Sequence, residues 1–337
     1  MLEKPDIPES SISACLQDAF GLRARDITFL PIGADLNTAV YRVIADGDGT
    51  YFLKLRSGVF DETSVALPKF LHDQGISQII PPLPSLTGQL WSNLDTFRVI
   101  LYPYVAGSSG FEGRMLDSHW QEFGAALQRM HTTEVPAVLK DRLRREAFSP
   151  RWRRTVEKWL GRVQADRFHD PVAVKMAAFL VSKRPEILDL VRRAEQLGQA
   201  LVDQTPPFVL CHSDIHAGNV LLAKDGAFYI VDWDDPILAP KERDLMFIGA
   251  GIGGVWNTAR EEALFYYGYG HADINPFALA YYRYERIVED IAVYCEQVFG
   301  TDEGGDDREQ SLVYLTSNFL PGGTIEIAYN ADDTAFG

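Results

Sequence analysis

Several protein classes need features that this sequence lacks. Its three cysteines, Cys15, Cys211 and Cys295, are scattered and form no C-x-x-C pair, so neither a disulfide framework nor a cysteine zinc site is implied. No apolar run reaches the ~20 residues that cross a bilayer. The opening MLEKPDIPES has no apolar segment and does not read as a secretory signal. A basic surplus is missing as well, since 32 Lys and Arg face 47 Asp and Glu for a formal net charge of −15. Nucleic acid, whose phosphates need a basic face, is therefore disfavoured as a partner. A small cationic partner is favoured, because an acidic cleft attracts one. There is no G-x-x-x-x-G-K followed by Ser or Thr, which argues against a P-loop nucleotide fold. Repeats and low-complexity tracts are absent too. The remaining composition, 46% hydrophobic and 23% charged over 337 residues, is ordinary for a soluble globular chain of one or two domains. The expectation is a reduced, cytoplasmic protein with no membrane association.

The densest chemistry lies in Phe208–Asp235, FVLCHSDIHAGNVLLAKDGAFYIVDWDD. A short apolar run ends in a polar loop carrying His212, Asp214, His216 and Asn219. Two strand-like segments follow, Val220–Ala223 and Ala227–Val231, joined through Lys224-Asp225-Gly226. Asp-Gly between apolar runs signals a hairpin, because Gly accepts the positive φ the turn demands. The hairpin would return Asp232 to the loop, so Asp214, Asn219 and Asp232 can converge at one edge of a ribbon. These are all oxygen donors, and such a set suits a hard cation such as Mg²⁺ better than zinc. D-x-x-x-x-N, a hairpin and then a metal-binding Asp is the pattern of a kinase catalytic loop. The same loop leaves other readings open. His212, Asp214 and His216 could ligate zinc or iron in a metal-dependent hydrolase, or the polar side chains could simply cap backbone groups.

His212-Ser213-Asp214-Ile215-His216-Ala217-Gly218-Asn219, followed by Ile230-Val231-Asp232-Trp233, resembles the aminoglycoside phosphotransferase family of kinase-fold enzymes. Pro240–Gly249 (PKERDLMFIG) and Glu285–Tyr294 (ERIVEDIAVY) are similar more narrowly to the spectinomycin phosphotransferases. The likeness runs over nearly the whole chain. Two differences from protein kinases, H-S-D for H-R-D and Trp-Asp after Asp232, are usual in small-molecule kinases of this family. The resemblance implies an α+β, bilobal, protein-kinase-like fold. Residues 1–102 would form a β-rich nucleotide-binding lobe, 103–107 a hinge, and 108–337 a helical catalytic and substrate lobe. It also implies a kinase using ATP (or GTP, as in some relatives) with Mg²⁺ to phosphorylate a hydroxyl of an aminoglycoside or aminocyclitol, above all spectinomycin, and so confer antibiotic resistance. Asp214 would accept the hydroxyl proton, while Asn219 and Asp232 would hold the metal. Another amino alcohol or sugar, choline-like or aminoglycoside, is the alternative acceptor.

Earlier in the chain, Ser10 or Ser11 should cap a helix that ends at Gly21, and strands are expected at Ile27–Leu30, Ala39–Ala45 and Thr50–Arg56. Alternation along the third strand puts Phe52, Lys54 and Arg56 on one face, with Tyr51, Leu53 and Leu55 on the other. A Lys in mid-strand either reaches solvent or meets an anion. With the downstream motif, Lys54 reads as a phosphate-gripping residue, and Asp61 and Glu62 are the nearest acids to orient it. Pro68 should start or kink the helix after them near Leu67. By resemblance, the loop holding Gly33, Asp35 and Asn37 lies over the nucleotide phosphates, although an ordinary hairpin turn fits the same residues. A strand at Phe97–Tyr102 runs into Pro103, Tyr104 and Val105, where the family's hinge binds adenine through its backbone.

Downstream, the stretch 139–204 reads as helical, with a basic cluster expected to be solvated or paired within the chain. Gly249–Gly254 matches G-x-G-x-x-G but lacks a βαβ setting. Asn275-Pro276 starts a helix, cap and then first-turn Pro. On that helix Glu285 and Glu289 lie four residues apart, a repulsive spacing unless Arg286, neighbouring chains or a cationic ligand neutralises them. Asp234, Asp235, Trp256, Tyr281, Glu285, Glu289 and Asp290 are therefore the candidates to hold a cationic acceptor. The acidic stretch Asp302, Glu303, Asp306 and Asp307 reads as a surface loop before a final segment, Leu312–Leu320.

Overall fold

The apolar-rich segments Thr38–Ala45 and Thr50–Arg56 flank a turn, and in the computed structural model of the chain they pair as antiparallel strands. The structure describes residues 3–33, 35, 37–301 and 305–336. It divides into two units, the first formed by Met1–Gly113, Val135–Leu143 and Gly218–Pro236. The second unit is Arg114–Glu134, Arg144–Ala217 and Ile237–Gly337.

In the first unit, helix α1 (Glu9–Phe20) precedes strands β1 (Ala24–Leu30), β2 (Thr38–Ala45) and β3 (Thr50–Arg56). Strands β4 (Ser92–Leu94) and β5 (Phe97–Pro103) complete a five-stranded sheet in the order β1-β2-β3-β5-β4. Ile12, Leu16 and Phe20 of α1 pack on Tyr41, Val43, Leu53, Leu55, Val99 and Leu101, which forms this unit's core. Leu53 and Leu55 point into that core, so Lys54 falls on the other face, as the alternation requires. No side chain caps the start of α1, contrary to the reading of Ser10 or Ser11 as cap, but Gly21 ends it in the left-handed region with φ 69°.

Helix α2 (Thr63–Asp73) contains Pro68 in its interior, so Pro68 neither starts nor stops it. Glu62 is the N-cap residue and its side chain makes no cap bond, while the Asp61 carboxylate just before it accepts the Thr63 N–H at 2.9 Å. Burial of Val65, Leu67 and Leu71 offsets the donor that Pro68 removes. The expected hairpin forms from Val220–Ala223 and Phe228–Ile230, with Gly226 at φ 90°, and it adds a short strand at Gly107–Ser109.

The second unit is mainly helical: α3 (Asp117–Thr132), α4 (Arg151–Ala165), α5 (Pro171–Gln204), α6 (Ala259–Tyr269), α7 (Pro276–Phe299), α8 (Gly305–Ser317) and α9 (Thr324–Phe336). Asn275 caps α7 by accepting from Phe277 and Ala278 N–H at 3.0 and 3.3 Å. Twelve residues of α7 are buried, on more than one face, which marks it as the unit's internal helix. The acidic stretch is not a loop where it is described: Asp306 and Asp307 open α8, and Asp307 is buried, while Asp302 and Glu303 lie outside the described residues. The glycines of 249–254 sit in a turn with no strand before it, so the G-x-G-x-x-G match has no dinucleotide setting. Among the described residues no helix is long and apolar enough to cross a membrane.

Helices α3 and α6 cross on two glycines. A Cβ on Gly268 would stand 1.8 Å from the Gln121 carbonyl oxygen, and one on Gly124 would stand 2.0 Å from that of Phe265. Ala at a helical Gly usually gains about 1 kcal/mol in propensity. Here overpacking against backbone should win by costing about 1–3 kcal/mol. We expect Gly268→Ala to lower the urea midpoint, and Gly161→Ala, with nothing within 4 Å, to hold or raise it. An unchanged midpoint for Gly268→Ala would show that the crossing can open without cost.

Candidate active site

In the first unit a cluster of charge gathers below β3. Lys54 is only 7% exposed, and its Nζ donates to Asp232 Oδ1 and to Asp234 Oδ1, each at 2.7 Å. Arg56, two residues along and so on the same face, also donates to Asp234. Burial would lower the Lys54 ammonium, but Asp232 and Asp234 more than reverse this and push it up. Burial raises the Asp234 carboxyl, and Asp232 adds to that rise against the pull of Lys54 and Arg56. The acids on Lys54 are thus Asp232 and Asp234, not Glu62. Glu62 pairs instead with Arg142 at 2.8 Å, because the α2 cap carries it towards the Val135–Leu143 segment. Asp234, expected on the acceptor side, is taken up by Lys54 and Arg56. Asp235 is exposed.

The hairpin does close on the loop, as the Val231 N–H donates to the Asn219 carbonyl at 2.9 Å. Asp232 itself takes φ 66°, a conformation that Asp tolerates better than most residues. Asn219 and Asp232 offer amide and carboxylate oxygens, and that donor set fits Mg²⁺. In the loop before β2, Asp35 accepts from Asn37 N–H at 2.9 Å and from Thr38 Oγ1 at 2.7 Å, so it holds the turn together. Gly33 has φ 89°, while Ala34 and Leu36 lie outside the described residues. At the end of β5, Pro103 pairs with Tyr51, and the Tyr104 N–H donates to the Thr50 carbonyl at 3.3 Å; Val105 follows directly.

In the second unit the loop 212–217 hangs from one buried carboxylate. Asp244 is fully buried, accepting the His212 N–H at 2.9 Å and the Ser213 N–H at 2.7 Å. Its Oδ2 also meets His131 Nε2 at 3.1 Å, and His131 Nδ1 meets the Tyr269 hydroxyl at 2.8 Å. Ser213 is held at φ 76°, and the next residue is Asp214, whose side chain is 37% exposed. Arg286 donates to Asp214 Oδ1, and His216 Nε2 lies 3.5 Å from Oδ2. Sequence reasoning missed this role of Asp244. The available signal was an acid leading directly into an apolar run, Leu245–Ile248.

Three acids of α7 pair with arginines. Glu285 pairs with Arg153, Glu289 with Arg243 at 3.5 Å, and Asp290 with Arg286 at 3.0 Å. Three of the acceptor-side candidates are buried. Tyr281 is 1% exposed and packs on Phe148, Glu285 is 4% exposed, and Trp256 is buried between Trp120 and Phe123. The hydrolase reading loses its ligand set. Among the described residues the His, Cys, Asp and Glu groups close enough to share an ion are His131, Cys211 and Asp244, and Asp244 already serves the loop backbone.

Residues 28–284 match the phosphotransferase enzyme family. The structure is similar to that of spectinomycin phosphotransferase APH(9)-Ia in complex with ADP and spectinomycin, with 36% identity and a TM-score of 0.90 over 97% of this chain and 99% of that one. Protein StrN of Streptomyces griseus is 24% identical over 260 residues, 74% of each chain. An ethanolamine kinase of Plasmodium vivax shares the fold, at 14% identity and a TM-score of 0.59 over 92% of this chain and 83% of that one.

Burial alone would raise the Asp214 carboxyl, but the Arg286 guanidinium, then His216 and His212, hold it well below the usual carboxylate range. A depressed carboxyl stabilises the fold fully above its unfolded pKa of about 3.9, and that contribution is lost as pH falls towards the folded value. Asp214→Asn should therefore be less stable than the parent at pH 7, with the gap narrowing below about pH 4. Urea unfolding across that range checks this, and a gap constant with pH would contradict it.

Proposed function

The chain belongs to the phosphotransferase enzyme family, and on that basis we propose that it moves the γ-phosphoryl group of ATP to a hydroxyl of spectinomycin. The observation that carries this reading is the 36% identity, over 97% of the chain, to an enzyme solved with ADP and spectinomycin. GTP is the alternative donor. The net charge of −15 supports an acceptor bearing ammonium groups.

In this reading the groups of the site divide the work. Lys54 neutralises charge on the nucleotide phosphates, and Asp234 keeps it aimed when Asp232 turns to its other task. Asn219 and Asp232 would hold Mg²⁺, whose contribution is to shield the phosphate oxygens as charge develops on them. The loop with Gly33, Asp35 and Asn37 covers the phosphates, and the backbone of Pro103, Tyr104 and Val105 meets the base. Asp214 accepts a hydrogen bond from the attacking hydroxyl. As the new O–P bond forms, the bond to ADP breaks and the hydroxyl proton passes to Asp214. On α7, Glu289, which keeps partial exposure beside Arg243, is the acid that would meet an ammonium group of the acceptor. In a susceptible bacterium the same reaction would give spectinomycin resistance.

Incubation of the purified protein with Mg·ATP and spectinomycin should give a monophosphorylated drug by mass spectrometry. Asp214→Asn should lower turnover by about 10²–10⁴ with little change in nucleotide affinity, and Asp232→Ala should abolish it. If choline or another amino alcohol is phosphorylated and spectinomycin is not, the acceptor is wrong and the kinase stands. Activity of Asp232→Ala without divalent metal would remove the kinase reading itself.

A further inference from the structure

Arg286 stands out among the charges of α7 because it reaches the proposed proton acceptor directly. Its Nη1 donates to Asp214 Oδ1, and its Nε lies 3.0 Å from Asp290 Oδ1, one turn along the helix, as an ion pair without a hydrogen bond. The Phe247 ring lies 5.7 Å from the guanidinium carbon and limits its movement on one side. The guanidinium thus links a rigid buried helix to a carboxylate on a strained loop. A planar fork with separate donors can face two carboxylates at once, which a single ammonium does poorly.

We propose that Arg286, anchored by Asp290, is a positioning residue for phosphoryl transfer that fixes the orientation of the Asp214 carboxylate. The proposal rests on the reading of Asp214 as the group that receives the acceptor hydroxyl. One carboxylate oxygen is engaged by Arg286, yet the Asp214 side chain stays 37% exposed, so its orientation is set while a ligand can still reach it. Without the guanidinium, Asp214 would rotate about its side-chain bonds, and a misplacement of about 1 Å at a reacting group can cost about 10²-fold in rate. The charged and titratable groups facing this pair are Glu289 and Tyr294 on α7, Arg243 on the segment before Asp244, and His212 and His216 on the loop. Asp290 then has a different task from the one its sequence position suggested, as it holds an arginine of its own chain.

The test is a double-mutant cycle with Arg286→Met, Asp290→Asn and both, plus Arg286→Lys, with folded fraction measured by thermal melts. The expected result is a kcat for Arg286→Met lower by about 10–100-fold, with nucleotide KM within about twofold and partial recovery in Arg286→Lys. Asp290→Asn should cost less, and the double variant should be no worse than Arg286→Met alone, because both losses act through one contact. An unchanged kcat, a loss matching the unfolded fraction, or additive effects would overturn the proposal. Should the parent phosphorylate no acceptor, the activity reading fails on its own account. The ¹³C titration of the Asp214 carboxyl then decides: a rise on removing Arg286 supports the contact, and no change refutes it.

Discussion

A fully buried carboxylate has to be satisfied, and Asp244 meets that demand by drawing in the backbone of the 212–217 loop. Two N–H groups, from His212 and Ser213, reach its two oxygens, and His131 closes the remaining side. The cost is a Ser at φ 76°, about 1–3 kcal/mol of backbone strain. Charge-assisted hydrogen bonds in a buried setting are strong enough to hold it. Everything the loop presents, Asp214 above all, inherits its direction from this anchor. His131 is fixed in turn by Tyr269, so the loop depends on helices α3 and α6, whose crossing is close enough to require glycine at both contact points.

A second constraint is that buried charges must be paired, and it sorts the acidic residues into two kinds. Glu285 meets Arg153 and becomes part of the helical core. Asp290 meets Arg286, which then meets Asp214, so its pairing extends to the exposed carboxylate. In the first unit the same logic places Lys54 between Asp232 and Asp234 rather than near Glu62. One ammonium with two carboxylates leaves negative charge to spare, which Arg56 offsets. Under the proposed function this pairing is the resting state from which Lys54 meets phosphates while Asp232 turns to a cation.

Much of this was legible in the sequence, where the signals were local. Alternation set the face of Lys54, Asp-Gly set the hairpin, and Asn275-Pro276 set the start of α7. D-x-x-x-x-N followed by the hairpin marked Asp214, Asn219 and Asp232 as the residues on which the proposed chemistry rests. The overall likeness to a phosphotransferase was legible for the same reason, since the motif and its neighbours lie in continuous stretches.

Partnerships between distant residues were decided only by the tertiary structure. Lys54 and Asp234 are separated by 180 positions, Arg286 and Asp214 by 72, and Arg153 and Glu285 by 132. No periodicity reports which of several acids an arginine meets, because that depends on how helices and strands pack. For the same reason Tyr281, Glu285 and Trp256 looked like ligands of an acceptor and proved to be buried: polar or aromatic character is a property of the residue, whereas exposure is a property of the fold. The sequence by itself determined the local elements and the chemical types at the loop and hairpin. Packing decided which charges neutralise one another and which remain open to a substrate.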